Sequence, residues 1–242
     1  GKIYKDWSSE EQTYLQTVTD MDEGVGRIIA KLDELGLTRD TLILFTSDNG
    51  PEAHRFKYSR GSAWPLKGMK TQLWEGGIRV PCILSWPVRF RGGVISNAPA
   101  SSLDLFPTIA AAAGAELPSG VELDGGVDLA QVLLRNHSLE SRALFYEFKA
   151  PQRGVESSLP LAVRKGRWKL FSSRDFSQTQ LYDLAADLSE TTDVATQHPQ
   201  LVSALSGELK QWKRKFPDFS HPPAQRIEPP SWEELSKRHY HN

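Results

Sequence analysis

Asp48 and Asn49 follow the apolar run Thr41-Leu42-Ile43-Leu44-Phe45, inside the stretch Thr46-Ser47-Asp48-Asn49-Gly50-Pro51. A carboxylate beside a carboxamide oxygen is a pair of hard ligands, suited to Ca²⁺ or Mg²⁺ rather than to zinc or copper. Asp-Asn-Gly is also a common turn sequence, so metal ligation and a plain turn both stay open on composition alone. Position favours ligation. A short, continuously apolar, β-rich run fits a strand buried on both faces of a mostly parallel sheet, and ligands bind such sheets beyond the carboxyl ends of their strands. A second chemical stretch runs from Gly61 to Pro81 and combines glycines with Lys67, Lys70 and the turn Trp74-Glu75-Gly76-Gly77. Glycines let backbone approach a ligand closely, and a lysine supplies a compact positive charge for sulfate or phosphate. The competing reading of Lys70 is a solvated surface lysine.

The elements that must position these residues follow from periodicity. From Thr19 to Leu35, Met21, Val25, Ile28, Ile29, Leu32 and Leu35 recur at three- and four-residue steps before Gly36, which predicts an amphipathic helix. It leads through Leu37 to Asp40 into a strand over 41–46, an α-to-β unit of the doubly wound type. Arg79 to Pro87 reads as another strand with prolines near its ends. Ser101 to Ala113, closed by Gly114, reads as a helix with Pro107 near its first turn. After residue 135 four short aromatic or β-branched runs, 143–148, 161–164, 167–171 and 180–184, predict a small antiparallel sheet, with Lys165-Gly166 as a tight hairpin. Pro199 opens a helix whose stripe of Leu201, Val202, Leu205, Leu209 and Trp212 would cover one face of it. The expected fold class is α/β, part of a mostly parallel sheet with flanking helices followed by a small antiparallel α+β subdomain. The expected domains are 1–135, 136–216 and a proline-rich extended tail, 217–242, in which Ser231 and Glu234 could cap a last short helix.

Composition narrows the functions. With 242 residues, 39% hydrophobic and 10% aromatic, the chain can bury a real core. A formal charge of -1 supplies no global field for nucleic acid or an anionic membrane, so neither is expected as a partner. The lone Cys82 excludes an internal disulfide framework and a cysteine-rich zinc site, and reads as a small buried hydrophobe. No apolar stretch reaches the ~20 residues of a membrane span. A leading Gly without Met is what removal of a purification tag leaves, so the true amino terminus is expected elsewhere. The histidines His137, His198, His221, His239 and His241 lack metal-ligand spacing, and Asn136-His137-Ser138 is a glycosylation sequon only in a secreted eukaryotic setting.

Taken together, Ser47-Asp48-Asn49-Gly50-Pro51-Glu52, the Lys70 segment and the Arg79-Val80-Pro81 exit resemble the sulfatase family, of the alkaline-phosphatase-like superfamily, in order and spacing. Asp20-Met21-Asp22, Val25-Gly26-Arg27, Ser102-Leu103-Asp104-Leu105-Phe106-Pro107-Thr108 and Asp124-Gly125 support it, as do 164–170 and 181–184. The likeness covers nearly all of residues 14 to 215. It implies that Asp48 and Asn49 ligate an active-site Ca²⁺ and that Lys70 contacts the sulfate ester as a catalytic and substrate-binding residue. His54 and Arg55, with Lys57, Tyr58 and Arg60, cluster positive charge on the next loop, where substrate contact and a solvated loop are both open. In the complete enzyme the resemblance implies a hydrated formylglycine attacking sulfur while calcium and cationic residues neutralise the sulfate oxygens.

The chain departs from the family in lacking the Cys/Ser-x-Pro-x-Arg motif that yields formylglycine, the amino-terminal acidic ligands and the upstream His and Lys. It resembles a carboxy-terminal half, so the isolated chain is expected to be inactive, and the formylglycine is expected in an amino-terminal half. The implied substrate is a sulfated small molecule or carbohydrate, and the implied compartment is periplasmic, secreted or lysosomal in type. Two alternatives remain. A two-metal phosphoesterase of the superfamily would carry an Asp-His pair where Asn49 stands, whereas a phosphonate monoester hydrolase with formylglycine is harder to separate. A non-catalytic binding or assembly half-domain would leave an unpaired strand edge and exposed apolar surface, so self-association of the fragment is expected.

Overall fold

The computed structural model describes residues 8–52, 60–115, 123–135, 139, 142–148 and 158–216. Helix α1 (Ser9–Glu34) begins with a capping box: the Ser8 hydroxyl accepts the Glu11 N–H, and the Glu11 carboxylate accepts the Ser8 N–H at 2.9 Å. It therefore starts ten residues before the apolar stripe that announces it. A 3₁₀ turn, Thr38–Asp40, leads into β1 (Ile43–Thr46), which pairs antiparallel with β2 (Cys82–Ser85), Ile43 opposite Ser85 and Thr46 opposite Cys82. Between them lies the single-turn helix α2 (Glu75–Ile78).

The α/β class holds, with helices and strands alternating before an antiparallel sheet takes over. Burial in the first part departs from expectation. Among the described residues β1 has only β2 beside it, Ile83 is 59% exposed, Cys82 lies open rather than buried, and no residue of α1 is buried, with Ile28 at 63% exposure. Hydrophobic pattern predicted faces that need cover, and the described residues do not supply the covering layer.

Past the 3₁₀ turn Ser102–Asp104, helix α3 (Leu105–Ala112) packs on α4 (Leu129–Arg135). Asp104 fixes that junction. Its buried carboxylate accepts the Ser101 N–H at 2.7 Å, the Val127 N–H at 2.9 Å and a bidentate pair from Arg142 at 2.6 and 2.8 Å. The Thr108 hydroxyl donates to the Asp104 carbonyl and accepts the Leu129 N–H, so the polar groups here satisfy one another.

The second part is an antiparallel meander in the order β3 (Ala143–Glu147), β4 (Leu161–Lys165), β5 (Trp168–Ser172), β6 (Thr179–Asp183). The β4–β5 connection is the two-residue hairpin expected near Lys165-Gly166. Lys165 pairs with Trp168, and Gly166 takes φ 58 at the first loop position, where a side chain would be strained. Alternation sends Ala162, Phe171 and Tyr182 to one face, where they bury Leu73 and Trp74. Leu161, Val163, Leu170 and Leu181 form the other face and are fully buried. Helix α5 (Pro199–Arg214) buries Leu205 and Leu209 and is tied to β4 by Lys165 Nζ, 2.8 Å from Glu208. The sequon at 136–138 and the proline-rich tail from 217 lie outside the described residues.

Candidate active site

Strand β1 delivers the chain to Ser47, whose hydroxyl donates to the Asn49 carbonyl at 2.9 Å and shapes the turn. The Asn49 amide nitrogen donates to the Gly50 carbonyl at 2.9 Å, so its side-chain oxygen is left for another partner. The Asp48 side chain is exposed at the tip of the turn. Two hard oxygen donors thus stand side by side at the carboxyl end of a strand.

Backbone hydrogen bonds bring the lysine loop to this turn. Gly50 N–H donates to the Gly77 carbonyl at 2.8 Å, and Lys70 N–H donates to the Pro51 carbonyl at 2.8 Å. The approach requires glycine: a Cβ on Gly50 would lie 1.8 Å from the Gly76 carbonyl oxygen. Lys70 Nζ sits 3.2 Å from Glu52 Oε2 with both side chains part-exposed. Thr71, next in the chain, takes φ 74, a left-handed conformation that costs a β-branched residue about 1–3 kcal/mol and recurs at functional sites. Its hydroxyl donates to the Lys70 carbonyl, while Gln72 Oε1 accepts the Met69 N–H at 2.9 Å and closes the loop.

The loop is anchored from below. Trp74 packs between Phe171 and Tyr182, with ring centroids 4.5 and 5.4 Å away, and Lys67 Nζ stands 3.8 Å over its ring. Leu73 N–H donates to the Ser158 hydroxyl at 2.8 Å. Burial, seconded by the Glu75 charge, pushes the nearby Tyr146 hydroxyl up to about 12, so it stays protonated at neutral pH and is no general base. Burial likewise leaves the Glu190 carboxyl above its ordinary value, whereas for Glu75 the charges of Lys169, Arg164 and Arg79 outweigh burial and hold it below.

The two loops that carry the expected site residues Asp48, Asn49 and Lys70 are therefore laced together by backbone hydrogen bonds. His54 and Arg55, expected as substrate contacts, lie outside the described residues, as do Lys57 and Tyr58. The donors at Asp48 and Asn49 fit Ca²⁺ in kind but supply two of the six to eight oxygens it takes, and among the described residues no group of three or more His, Cys, Asp or Glu converges on a metal position. Glu52 is the site residue that sequence reasoning left unassigned, although it stands in the same short run as the metal pair.

The family described as Sulfatase matches residues 4–115, and the one described as N-sulphoglucosamine sulphohydrolase, C-terminal, matches residues 69–215. The chain belongs to the sulfatase family, of the alkaline-phosphatase-like superfamily. It is 40% identical to arylsulfatase A of Bos taurus over 195 residues, 78% of this chain and 36% of that protein. It is 47% identical to the steryl-sulfatase of Mus musculus over 116 residues, 46% of this chain and 19% of that protein. Among solved structures, Ps i-CgsB in complex with k-i-k-neocarrahexaose superposes with a TM-score of 0.73 at 30% identity, over 86% of this chain and 44% of that one. BT4656, in complex with its substrate D-glucosamine-2-N,6-O-disulfate, gives 0.64 at 26% over 86% and 42%. The phosphonate monoester hydrolase of Agrobacterium radiobacter gives 0.59 at 25% over 82% and 40%. The chain spans less than half the length of each of these relatives.

Proposed function

We propose that this chain is the metal-pair and lysine portion of a sulfuric ester hydrolase acting on a sulfated carbohydrate or small molecule. The observation that carries the reading is the backbone lacing of Gly50 to Gly77 and of Lys70 to Pro51, which supports a shared site for two calcium-type ligands and a cation. Family membership supports it, and the sulfated sugar that BT4656 takes as substrate supports the substrate class.

In this reading Asp48 and Asn49 would hold Ca²⁺, which would supply positive charge to neutralise the sulfate oxygens. Lys70 binds one sulfate oxygen and exchanges its Glu52 partner for the ester on binding, an electrostatic role that needs no proton transfer. His54 and Arg55 are proposed to touch substrate from the neighbouring loop. The nucleophile, a formylglycine, comes from outside this chain, so the chain alone turns nothing over. The domain divisions at 135 and 216 and a periplasmic, secreted or lysosomal-type compartment belong to the same proposal. Among the described residues no helix is long and apolar enough to cross a membrane.

The exposed stripe of α1 and the bare faces of β1 and β2 also lead us to expect self-association of the isolated chain. Light scattering should give a mass that rises with concentration, and a clean monomer throughout would refute this.

A phosphonate or phosphate ester is the second reading, favoured by the likeness to the phosphonate monoester hydrolase. Titrating the chain with a sulfated monosaccharide, its phosphorylated analogue and the unmodified sugar, each with calcium, separates the readings. Amide NMR shifts at Lys70 and Gly77 should respond to the sulfated sugar first and vanish in Lys70→Ala. An equal response to the unmodified sugar would sink both. Calorimetry with calcium alone should give weak or no binding, since Asp48 and Asn49 supply two of the six to eight oxygens that calcium takes.

A further inference from the structure

Directly beneath the site lies a buried charge cluster that the proposed chemistry does not use. Lys169 on β5 and Glu190 after β6 are fully buried, and Glu75 is 1% exposed. Lys169 Nζ stands 2.9 Å from Glu75 Oε1 and 2.9 Å from Glu190 Oε1, while Glu190 Oε2 accepts the Glu75 backbone N–H at 2.6 Å. The guanidinium groups of Arg79 and Arg164 approach the other Glu75 oxygen at 3.6 and 4.0 Å. Among the described residues Glu75 Oε2 and Arg164 Nε have no hydrogen-bond partner.

Stability alone does not explain such a cluster. Burying a lysine with two carboxylates incurs a desolvation cost that well-packed apolar side chains of the same volume avoid. What ion pairs add is direction, since hydrogen-bonding geometry fixes a partner's place more narrowly than apolar contact does.

The place being fixed is α2. This helix is one turn long and has grips at both ends. Glu75 is held by Lys169 and Glu190, while two residues on, the Gly77 carbonyl holds Gly50 beside Asp48 and Asn49. Gly76 N–H donates to the Lys67 carbonyl at 2.7 Å and so ties in the Lys70 loop. Any shift of Glu75 is therefore passed to both loops of the site.

We infer that Lys169 is a positioning residue of the active site: from β5, 94 residues beyond Glu75, it sets the seat of α2 and through it the placement of Asp48, Asn49 and Lys70. It touches neither substrate nor metal. The consequence for sulfate rests on the sulfatase reading, but the consequence for loop geometry does not.

The test uses the full chain with Lys169→Met, Glu190→Gln and the triple variant Glu75→Gln/Lys169→Met/Glu190→Gln. The triple variant removes both carboxylate charges with the lysine, so it leaves no uncompensated carboxylate in the buried core and covers the case in which Lys169→Met does not fold. Amide exchange is followed by NMR at Gly50, Gly76 and Arg79, whose N–H groups report the seat of α2, and at β3 and β6, which report the sheet. Lys169→Met or the triple variant should exchange at least about tenfold faster at the first set and change less than about twofold at the second. Glu190→Gln keeps the acceptor for Glu75 N–H and should stay close to the unaltered chain. Titration with inorganic sulfate should show the response at Lys70 weakened in the triple variant and kept in Glu190→Gln. Uniform acceleration across both sets, or none in either, would overturn the inference. Selective loosening with no sulfate response even in the unaltered chain would support the positioning role and instead sink the assignment of Lys70.

Discussion

Replacing Gly50 with Ala should damage the site and the fold together, by an amount the geometry sets. The new Cβ would sit 1.8 Å from the Gly76 carbonyl oxygen and 2.8 Å from its carbon, where ordinary contact begins at 3.4 Å. The oxygen must retreat by about 1.6 Å, and it is rigid backbone whose own residue is closed in by Gly68 and Lys67 carbonyls. Such a retreat breaks the Gly50–Gly77 and Gly76–Lys67 hydrogen bonds of 2.8 and 2.7 Å, at about 1 kcal/mol each. Adding overpacking strain gives a loss of about 3–4 kcal/mol. Urea denaturation followed by tryptophan fluorescence measures it, because Trp74 lies against the displaced segment. Gly26→Ala is the control. Nothing lies within 4 Å of its Cβ position, it is interior to α1, and the change should stabilise the helix by about 0.5–1 kcal/mol. A Gly50→Ala loss under about 1 kcal/mol would show that the two loops yield freely, and the argument for a rigidly laced site would fail.

Three further outcomes follow from other contacts. Asp104→Ala strands Arg142, which is 10% exposed, together with two backbone N–H groups, so it should cost about 3–5 kcal/mol in the same denaturation assay. Glu52→Gln frees Lys70 from a part-exposed pair, so stability should move by less than about 0.5 kcal/mol while the NMR response to sulfate strengthens. The Asp175 carboxyl is drawn down to about 2 by the Ser173 hydroxyl and by the backbone and hydroxyl of Ser177. Its folded value lies below the usual 3.8, so its contribution is present above that pH and is lost as the pH falls towards 2. A carbon-13 titration of the carboxyl should place its midpoint near 2, and a midpoint near 4 would refute the turn's hydrogen bonding.

Much of this was legible in the sequence, though unevenly. The β4–β5 hairpin and the buried Leu205 and Leu209 of the α5 stripe rest on local pattern, and they stand as read. The joint role of Asp48, Asn49 and Lys70 comes from motif spacing and belongs to the proposal. The start of α1 was missed although Ser8 and Glu11 spell a capping box, because the apolar stripe used to find the helix begins later. The single turn α2 read as a plain turn, and α4 went unassigned, since seven residues are too few for periodicity to register. Burial of β1, β2 and Cys82 was overestimated, because an apolar run shows that a face needs cover and not whether the same chain provides it. Lys169 carried no signal of its burial. Within Arg167-Trp168-Lys169-Leu170-Phe171 it looks like the polar position of an alternating strand, and only the arrival of Glu75 and Glu190 from elsewhere in the chain makes it a core residue.

The way Trp74 is seated bears on how this protein could be recombined. A cut near residue 135 looks like a natural seam, with alternating helices and strands before it and a self-contained meander after it. Yet Ala162, Phe171 and Tyr182 from beyond the seam form the socket into which Leu73 and Trp74 plug. A chimera that joined residues 8–135 to the following part of a relative would inherit a plug and a socket shaped for different partners. Crossover at that seam should succeed only where the incoming sheet brings matching residues at those three positions, and transplanting them as a set is the design rule that the contact dictates.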